Sequence, residues 1–514
     1  MLGTLVTGEF QTVSWRRGAA TGEVAGEAGS GFCMGSQVSL PLWVVVVMAI
    51  LAVLAALDRI LIPSVRWALR RRANRAIEEL NTKLKLRIQP FKLTKRQVLT
   101  DRLVFDPEVL RAAEEYSAEA GVPNEVAMEK VRRYAREIVP AFSAYAYFRI
   151  GTRIARAVSH MLYRVRIGVR NDEALAAVDP AASVIFVINH RSNMDYVLVT
   201  YVAATSSALS YAVGEWAKVW GLSNLIRSMG AYFIARDSGE ALYRKVLSRY
   251  VHMATAAGVT QAIFPEGGLS RDGKLRPPKF GLLSYMVAGF DPLGPRDVVF
   301  IPVAVNYDRV LEDRMLTSVA NTEPGKKPVF GFNAATLARH FFRHVWMALR
   351  GEWYRFGYTC VSFGVPVSLR KYVEARKIDF RVLAAEPRRI EIEKLGNELM
   401  EAVGRVVPAL PVSLVSTVVL EAGDQPLTLF EIKGRVSSLI GDLERLGSYV
   451  HIPRADRDYA ISVGLRMLTL RHLVIEADDT WRANPKELVL LQYYANAIVH
   501  LFKDREARTG RASP

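Results

Sequence analysis

The sequence predicts an α/β fold in which a mostly parallel mixed sheet is flanked by helices. Helical regions precede and follow the sheet, and one transmembrane helix lies near the N-terminus. Between residues 183 and 307, short β-branched or aromatic runs alternate with longer helical segments, which is typical of a parallel sheet. The stretches on either side have helical character. An uncharged run of eighteen residues begins at Leu40.

Five short runs are predicted to be strands. They are SVIFVI (183–188), AYFIA (231–235), QAIFP (261–265), VVFIPVAVNY (298–307) and TCVSFGVPV (359–367). Proline cannot donate a backbone hydrogen bond, so Pro302 predicts that the fourth strand lies at an edge or contains a bulge. Upstream, apolar spacing predicts a helix over Pro107–Ala120, with Pro107 placed to start it.

These patterns predict five regions along the chain. They are a disordered segment rich in Gly, Ala, Ser and Thr (1–38), a transmembrane anchor (39–63), a helical N-terminal domain (64–170), an α/β domain (171–371) and a helical C-terminal domain (372–514).

The anchor is predicted from the run LPLWVVVVMAILAVLAAL between Leu40 and Leu57. Its length is close to the minimum of about 17–25 residues that a membrane-spanning helix needs. Arginines follow the run closely, whereas residues 1–38 carry two arginines against three glutamates. The positive-inside rule therefore predicts a single-pass protein of the inner (cytoplasmic) membrane, with its body on the cytoplasmic side. A buried helix and a cleaved signal peptide are the alternatives.

The net charge of +17 allows three kinds of partner: nucleic acid, an anionic membrane surface or acidic small molecules. No base-reading module is recognisable, so nucleic acid is not expected as a partner, and membrane lipids are. With only Cys33 and Cys360, a disulfide framework and a thiolate metal cluster are both excluded. Neither a metal nor a cofactor is expected.

A histidine and an aspartate follow the first predicted strand, in the segment NHRSNMDY (189–196). If Ser192 or Asn193 caps the next helix, Asp195 lies in its first turn and can reach one imidazole nitrogen of His190. The carboxylate would fix the tautomer, and the other nitrogen could take a proton from a hydroxyl. The same spacing also suits a loop histidine beside a helix-capping aspartate, so the pair needs support from elsewhere in the chain.

A candidate anion pocket follows the third predicted strand, in FPEGGLSRDG (264–273). Gly267 and Gly268 let backbone N–H groups approach an anion, Ser270 adds a hydroxyl, and the planar guanidinium of Arg271 suits a phosphate. Further positive charge comes from Arg236, Lys274, Arg276 and Lys279. The alternative is a simple Gly-Gly turn beside a solvated basic face. The loop has neither the P-loop nor the dinucleotide-binding pattern, so no nucleotide is implied.

Together these segments resemble the four sequence blocks of the glycerolipid acyltransferases. The forms HRSNMDY (190–196) and EGGLSR (266–271) look most like the bacterial membrane-bound glycerol-3-phosphate acyltransferases. The resemblance extends to FKLTKRQVL (91–99) near the N-terminus. It also extends to VSLVSTVVL (412–420) and YYANAIVHLF (493–502) in the C-terminal region.

The resemblance implies that His190 is the catalytic base and Asp195 its partner. It implies a binding site for glycerol 3-phosphate formed by Arg236, Glu266, Gly267, Gly268, Ser270, Arg271, Lys279 and Pro302. The donor would be a fatty acyl thioester of coenzyme A or acyl carrier protein, and Ser192 is a candidate oxyanion donor. The chain departs from the family at Asn189, Ala235 and Val365, where a proline or cysteine, an arginine and a glutamate are common.

The implied reaction is transfer of the acyl chain to the 1-hydroxyl of glycerol 3-phosphate. A thiolate leaves readily, so general base catalysis and positioning suffice. Three alternatives stay open. The acceptor could be lysophosphatidate or dihydroxyacetone phosphate. The chain could be a catalytically silent membrane scaffold of the same fold. The third is a basic nucleic-acid binder.

Overall fold

The computed structural model describes residues 46–49, 88–203, 208–213, 222–234, 240–320 and 356–502. Residues 1–71 and 72–514 form separate compact units. In the first unit the description is confined to an exposed helical turn at 46–49. Within the part of the chain that the structure describes, every helix is too short or too polar to span a bilayer. The rest of the predicted anchor lies outside that part, as does the predicted disordered segment.

The second unit is built around an eight-stranded sheet. Its strands are β1 (Arg164–Arg170), β2 (Ser183–Ile188), β3 (Ser210–Val213), β4 (Tyr232–Phe233), β5 (Gln261–Ile263), β6 (Val298–Tyr307), β7 (Tyr358–Phe363) and β8 (Val367–Ser368). The order is β1-β7-β6-β2-β5-β3-β4, and β8 also pairs with β6. Only the pairs that β6 makes with β7 and β8 are antiparallel among these strands. The prediction of a mostly parallel mixed sheet is confirmed.

The central strand β2 lies between β5 and β6 and is buried along its whole length. It pairs with β6 from Ser183↔Val298 to Ile188↔Val303. Continuous burial of both faces is expected for a parallel strand covered by helices on each side, and it explains the unbroken apolar run of β2.

Side chains of the two long strands alternate between two cores, as the pleat requires. Val184, Phe186 and Ile188 of β2 belong to one core, together with the helices near the C-terminus. Ile185 and Val187 belong to the other core, which contains most of the N-terminal helices. The sheet is therefore the middle of three layers.

Pro302 lies inside β6, which is a central strand, so the prediction of an edge position is wrong. The strand nevertheless tolerates the proline for a local reason. On that side of β6, β8 ends its pairing at Phe300 and β7 begins at Val303. The carbonyl of Pro302 accepts a hydrogen bond from Gly364 N (2.8 Å), in the connection between β7 and β8. The missing N–H therefore falls where no strand needs a donor.

The helices before β5 are mostly amphipathic. They are α1 (Pro90–Leu93), α2 (Arg96–Val104), α3 (Pro107–Ala120), α4 (Asn124–Ile138), α5 (Thr152–Leu162), α6 (Asp172–Ala176), α7 (Met194–Ala203), α8 (Leu222–Ser228) and α9 (Ala241–Ala256), with a π-helical turn at Ala146–Gly151. The prediction for α3 is confirmed. Asp106 caps its N-terminus, and Gly121 ends it in the left-handed conformation.

The helices after β5 complete both outer layers. They are α10 (Gly281–Val287), α11 (Asp313–Ala320), α12 (Leu369–Arg376), α13 (Ala385–Arg405), α14 (Pro411–Glu421), α15 (Leu429–Arg445), α16 (Arg457–Leu470) and α17 (Leu488–Ala495), with short 3-10 turns at Pro453–Ala455, Pro485–Glu487 and Val499–Phe502. Helix α14 is buried from Pro411 to Val419, because helices α15 to α17 surround it.

Two regions predicted to be helical contain strands. Strand β1, with the sequence RVRIGVR, lies inside the predicted helical domain 64–170 and pairs with β7. A small antiparallel sheet of β9 (Leu427–Thr428), β10 (Val474–Ala477) and β11 (Thr480–Ala483) lies inside the predicted helical domain 372–514. The predicted boundaries at 170 and 371 both lie within the second compact unit and stay predictions.

Candidate active site

The histidine and the aspartate meet at the carboxyl end of β2. His190 follows the strand after one residue, and α7 begins at Met194, so Asp195 lies in its first turn. The Ser192 hydroxyl accepts a hydrogen bond from Met194 N (3.1 Å), as a residue at the start of a helix does. Nδ1 of His190 lies 3.0 Å from Oδ2 of Asp195, and both side chains are buried.

Four donors converge on the Asp195 carboxylate. Oδ2 accepts hydrogen bonds from the imidazole and from the backbone N–H groups of Arg191 (2.7 Å) and Ser192 (3.0 Å). Oδ1 accepts one from the hydroxyl of Tyr307 (2.6 Å), the last residue of β6. The carboxylate is thus fixed, and it holds Nδ1 protonated so that Nε2 is the nitrogen able to accept a proton.

Aromatic rings fix the plane of the imidazole. The ring of Phe264 lies 4.4 Å from that of His190 at an angle of 36°, and Tyr196 meets His190 edge-on at 5.4 Å. Phe264 directly follows β5 and Tyr196 lies on α7, so two elements hold the ring from different directions. A base held in one orientation needs little reorganisation when it takes a proton.

The loop after β5, residues 266–274, is named here the phosphate loop, and Glu266 joins it to the histidine. The carboxylate of Glu266 accepts hydrogen bonds from His190 N (2.9 Å) and Arg276 N (3.2 Å). The side chain is 1% exposed, and this burial raises the pKa of Glu266 to about 7 despite the two backbone donors. Glu266 therefore ties the backbone of His190 to the backbone of Arg276.

A second backbone contact joins the residue before Arg271, the predicted phosphate ligand, to the backbone of His190. Ser270 N donates to the carbonyl of His190 (3.0 Å), and the Ser270 hydroxyl donates to the carbonyl of Lys274 (2.7 Å). Arg271 is the next residue and is exposed. The eighty positions between His190 and Ser270 are thus bridged by one hydrogen bond, at the edge where β2 and β5 end.

Gly267 and Lys279 also lie together. Gly267 has a φ of +66°, and a Cβ built on it would lie 2.6 Å from Cδ of Lys279. Only glycine suits this position, because it allows both the left-handed backbone and the close approach of the lysine. Lys279 N donates to the carbonyl of Pro265 (2.7 Å), so the lysine is held beside the phosphate loop. Gly268 is buried in the same loop.

The remaining predicted residues have different outcomes. Pro302 pairs with Val187, three residues before the base. Arg236 lies outside the described residues. The Ser192 hydroxyl donates to Glu312 Oε2 (2.7 Å), and its role as an oxyanion donor stays a prediction. The half-buried carboxylate of Glu312, whose pKa desolvation raises, also accepts from Asn193 N (3.2 Å).

Three residues of the site were not predicted: Tyr307, Glu312 and Arg191. Tyr307 had a usable signal, since it ends a strand predicted to run beside the strand that leads to His190. Neighbouring parallel strands end at the same edge of a sheet. Nothing in the sequence marks Glu312 or Arg191 in this way.

Comparison with known proteins agrees with this geometry. Residues 166–306 match the family described as Acyltransferase, and residues 341–505 match the Glycerol-3-phosphate acyltransferase C-terminal region. The first match contains the histidine, the aspartate and the phosphate loop. Residues 166–306 therefore form an acyltransferase domain, in which His190 and Asp195 have the H-x4-D spacing.

Curated relatives point to one branch of this class. Glycerol-3-phosphate acyltransferase of Alteromonas mediterranea is 28% identical over 431 residues, which are 80% of this chain and 50% of the relative. The proteins of the same name from Aeromonas hydrophila and Pseudomonas syringae are each 27% identical, over 80% and 79% of this chain. The chain spans about half the length of the curated relatives it matches. This chain therefore has an acyltransferase domain followed by a region similar to the C-terminal part of glycerol-3-phosphate acyltransferases.

A solved structure, the 1-acyl-sn-glycerophosphate acyltransferase of Thermotoga maritima, is 18% identical. The match covers 59% of this chain and 98% of that one with a TM-score of 0.26, which is too low to bear on function.

Proposed function

We propose that this chain transfers a fatty acyl group from a thioester of coenzyme A or acyl carrier protein to the sn-1 hydroxyl of glycerol 3-phosphate. The observation that carries the proposal is the His190–Asp195 pair, joined through the backbone of Ser270 to a basic loop. A candidate base for a hydroxyl and, one residue after Ser270, a guanidinium suited to a phosphate match glycerol 3-phosphate, which carries both a hydroxyl and a phosphate. The names of the curated relatives support the same acceptor.

In the proposed reaction, Nε2 of His190 takes the proton of the 1-hydroxyl as its oxygen attacks the thioester carbonyl. The C–O bond forms, the C–S bond breaks, and the thiolate leaves and is protonated. Asp195 stabilises the imidazolium in the meantime. Arg271 and Lys279 bind the phosphate and so set the distance between the hydroxyl and the base.

The test is an acceptor panel on membranes containing the expressed chain, at one acyl-CoA concentration. The panel holds glycerol 3-phosphate, lysophosphatidate and dihydroxyacetone phosphate. Preference for glycerol 3-phosphate, with lysophosphatidate as product, supports the proposal. A higher kcat/KM for either other acceptor assigns the chain to the alternative substrate. Absence of transfer to all three would favour a scaffold that keeps the fold.

Variants assign the roles within the site. His190→Ala should lower kcat at least about a hundredfold, because it removes the general base.

Arg271→Ala should mainly raise the KM for glycerol 3-phosphate, because it removes a charge-assisted phosphate contact. His252→Ala on α9 and Arg435→Ala on α15 are the matched controls. Retention of most activity by His190→Ala would show that another group is the base.

We also propose that the segment 39–63 anchors the chain in the inner membrane, with the catalytic body in the cytoplasm. The uncharged run and the arginines after it support this, and so does the chemistry, since acyl chains and lysophosphatidate partition into bilayers. Protease protection of inside-out and right-side-out vesicles tests it. Digestion of residues 72–514 in right-side-out vesicles would contradict the proposed orientation.

A further inference from the structure

The side chain of Arg191, next to the base, joins three distant parts of the chain. Its Nη1 donates to the carbonyl of Gly273 (2.6 Å), and its Nη2 donates to the carbonyl of Ala497 (2.9 Å). The residue is 2% exposed. A guanidinium is costly to bury, and these two carbonyls offset part of that cost. One arginine thus connects the loop of the catalytic histidine, the phosphate loop and the chain just after α17.

Two further contacts join the phosphate loop to residues 493–497, named here the C-terminal segment. Nδ2 of Asn496 donates to the carbonyl of Asp272 (2.8 Å). Gly273 has a φ of +84°, and a Cβ built on it would lie 1.9 Å from the carbonyl oxygen of Tyr493. The two stretches of backbone are therefore in direct contact, more than two hundred residues apart in sequence.

The contacts of the C-terminal segment fall on the side of the phosphate loop that follows Arg271. The preceding residue, Ser270, is held by the carbonyl of His190. Arg271 is therefore flanked by one attachment to the base and by another, at Asp272 and Gly273, to the C-terminal segment. Its position relative to the base depends on both attachments.

We propose that the C-terminal segment positions the phosphate loop relative to His190, and that Arg191 is the positioning residue that joins the two. The inference rests on the proposed function and deepens it, since it assigns the C-terminal region a part in binding the phosphate of the acceptor. Arg191 acts through backbone carbonyls: both of its terminal nitrogens are engaged, and phosphate binding is left to Arg271 and Lys279.

Lysine cannot replace this arginine. Its ammonium is a point charge on a flexible stem, whereas the guanidinium is a rigid fork that reaches two carbonyls at once. Arg191→Lys would keep the charge and lose one of the two contacts. The phosphate loop would then shift, and a displacement of about 1 Å in a substrate-positioning group can cost on the order of a hundredfold in rate.

The kinetic test compares KM values for the two substrates. Arg191→Lys should raise the KM for glycerol 3-phosphate at least about tenfold, while the KM for acyl-CoA changes by less than about twofold. Asn496→Leu, which removes the contact with Asp272 from the opposite side, should raise the same KM at least about threefold. A purely structural role would instead lower the active fraction, and so the apparent kcat, with both KM values unaltered.

Arg370→Lys is the matched control, because Arg370 also donates to a backbone carbonyl, that of Gly294 (2.7 Å), in the loop before β6. It should leave the KM for glycerol 3-phosphate within about twofold of the wild-type value. If Arg191→Lys does not fold, as judged by circular dichroism, Asn496→Leu decides the question.

Hydrogen exchange of the full chain separates this inference from the proposed function. Backbone amides of residues 268–274 should exchange at least about tenfold faster in Arg191→Lys than in Arg370→Lys. An inactive wild-type chain would refute the proposed function, and the exchange rates would still decide whether Arg191 holds the loop. Equal exchange in both variants, or an unaltered KM in Arg191→Lys and Asn496→Leu, would overturn the inference.

Discussion

At the scale of single residues, the hydroxyl of Tyr307 extends the hydrogen-bonded pair of His190 and Asp195. Asp195 binds the imidazole through Oδ2 and Tyr307 through Oδ1, so the tyrosine holds the far side of the carboxylate. Burial and the neighbouring carboxylate raise the pKa of Tyr307 well above its ordinary value, which keeps its proton in place. Tyr307 is therefore a positioning residue that acts through Asp195.

We expect Tyr307→Phe to lower kcat about tenfold and to leave both KM values within about twofold, since the lost hydrogen bond orients the base and not the substrates. Steady-state kinetics measures this. Tyr232→Phe is the control, because the buried hydroxyl of Tyr232 has no hydrogen-bond partner among the described residues. Equal kcat values in the two variants would show that the Tyr307 hydroxyl does not position Asp195 and that the side chain contributes only packing.

Glu266 makes stability depend on pH. Its pKa is raised from 4.5 to about 7 by burial, so the folded state binds this proton more tightly than the unfolded chain does. The corresponding stabilisation is complete below about pH 4.5 and is lost as pH rises through about 7.

Between pH 5 and pH 8, the wild type should therefore lose about 2 kcal/mol of stability relative to Glu266→Gln, whose amide does not titrate. Urea unfolding of both proteins at several pH values measures this difference. Other titrating groups cancel in the comparison. A difference that stays constant over this range would mean that Glu266 is already ionised at pH 5.

At the scale of secondary-structure elements, Asn189 prolongs the pairing of β2 with β6. Strand β2 ends at Ile188, but the side chain of Asn189 donates to the carbonyl of Val305 (3.0 Å) and accepts from its N–H (2.8 Å). The side-chain amide of Asn189 thus makes the two hydrogen bonds with Val305 that a backbone residue of a longer β2 would make, directly before His190. This explains how the chain accommodates asparagine at this position.

Asn189→Ala should destabilise the protein by about 3 kcal/mol, because it leaves a buried donor and a buried acceptor of Val305 unpaired on that side. Thermal and urea unfolding measure the loss. Asn484→Ala, which removes a similar pair of contacts from the more exposed turn after β11, should cost about 1 kcal/mol. Similar costs at both positions would show that water or a rearranged backbone satisfies Val305.

The elements differ in how well the sequence predicted them. The bounds of β2 and β6 were predicted correctly, because both strands are buried on both faces and read as continuous apolar runs. Strand β1 was missed because it is largely exposed and carries three arginines in seven residues, so it shows no apolar run. The short strands β9 to β11 gain their stability from tertiary contacts that local patterns do not contain.

The residues of the candidate site also differ in how well the sequence predicts them. His190, Asp195 and the phosphate loop were predictable because each lies in a short local motif at a strand end. Tyr307, Glu312 and Arg191 act over separations of 112, 120 and 306 residues, so only the folded chain brings them to their partners.

At the scale of the whole molecule, the helices near the C-terminus form one of the two layers that cover the sheet. Residues of α14 to α17 share a core with Val184, Phe186 and Ile188 of β2. The layer therefore contributes to the same core as the strand that leads to His190, and removing it would expose apolar side chains of that core.

We expect amides of α14 to be among the slowest to exchange with solvent, at rates within about tenfold of those of β2 and β6. Hydrogen exchange followed by mass spectrometry measures this. Helix α6 contains no buried residue and serves as the fast-exchanging reference. Rapid exchange in α14 beside a protected β2 would mean that the C-terminal layer opens independently of the sheet.

The contact between Gly273 and Tyr493 constrains how such a chain can evolve. Any side chain at 273 would collide with the main chain at 493, and no change of side chain at 493 can relieve a collision with its carbonyl oxygen. Sequence changes in the acyltransferase region and in the C-terminal region must therefore both preserve the contact between Gly273 and the main chain of Tyr493. A hybrid that joins the catalytic half of this chain to the terminal half of a distant homologue would work only if the donor's backbone follows the same path past the glycine.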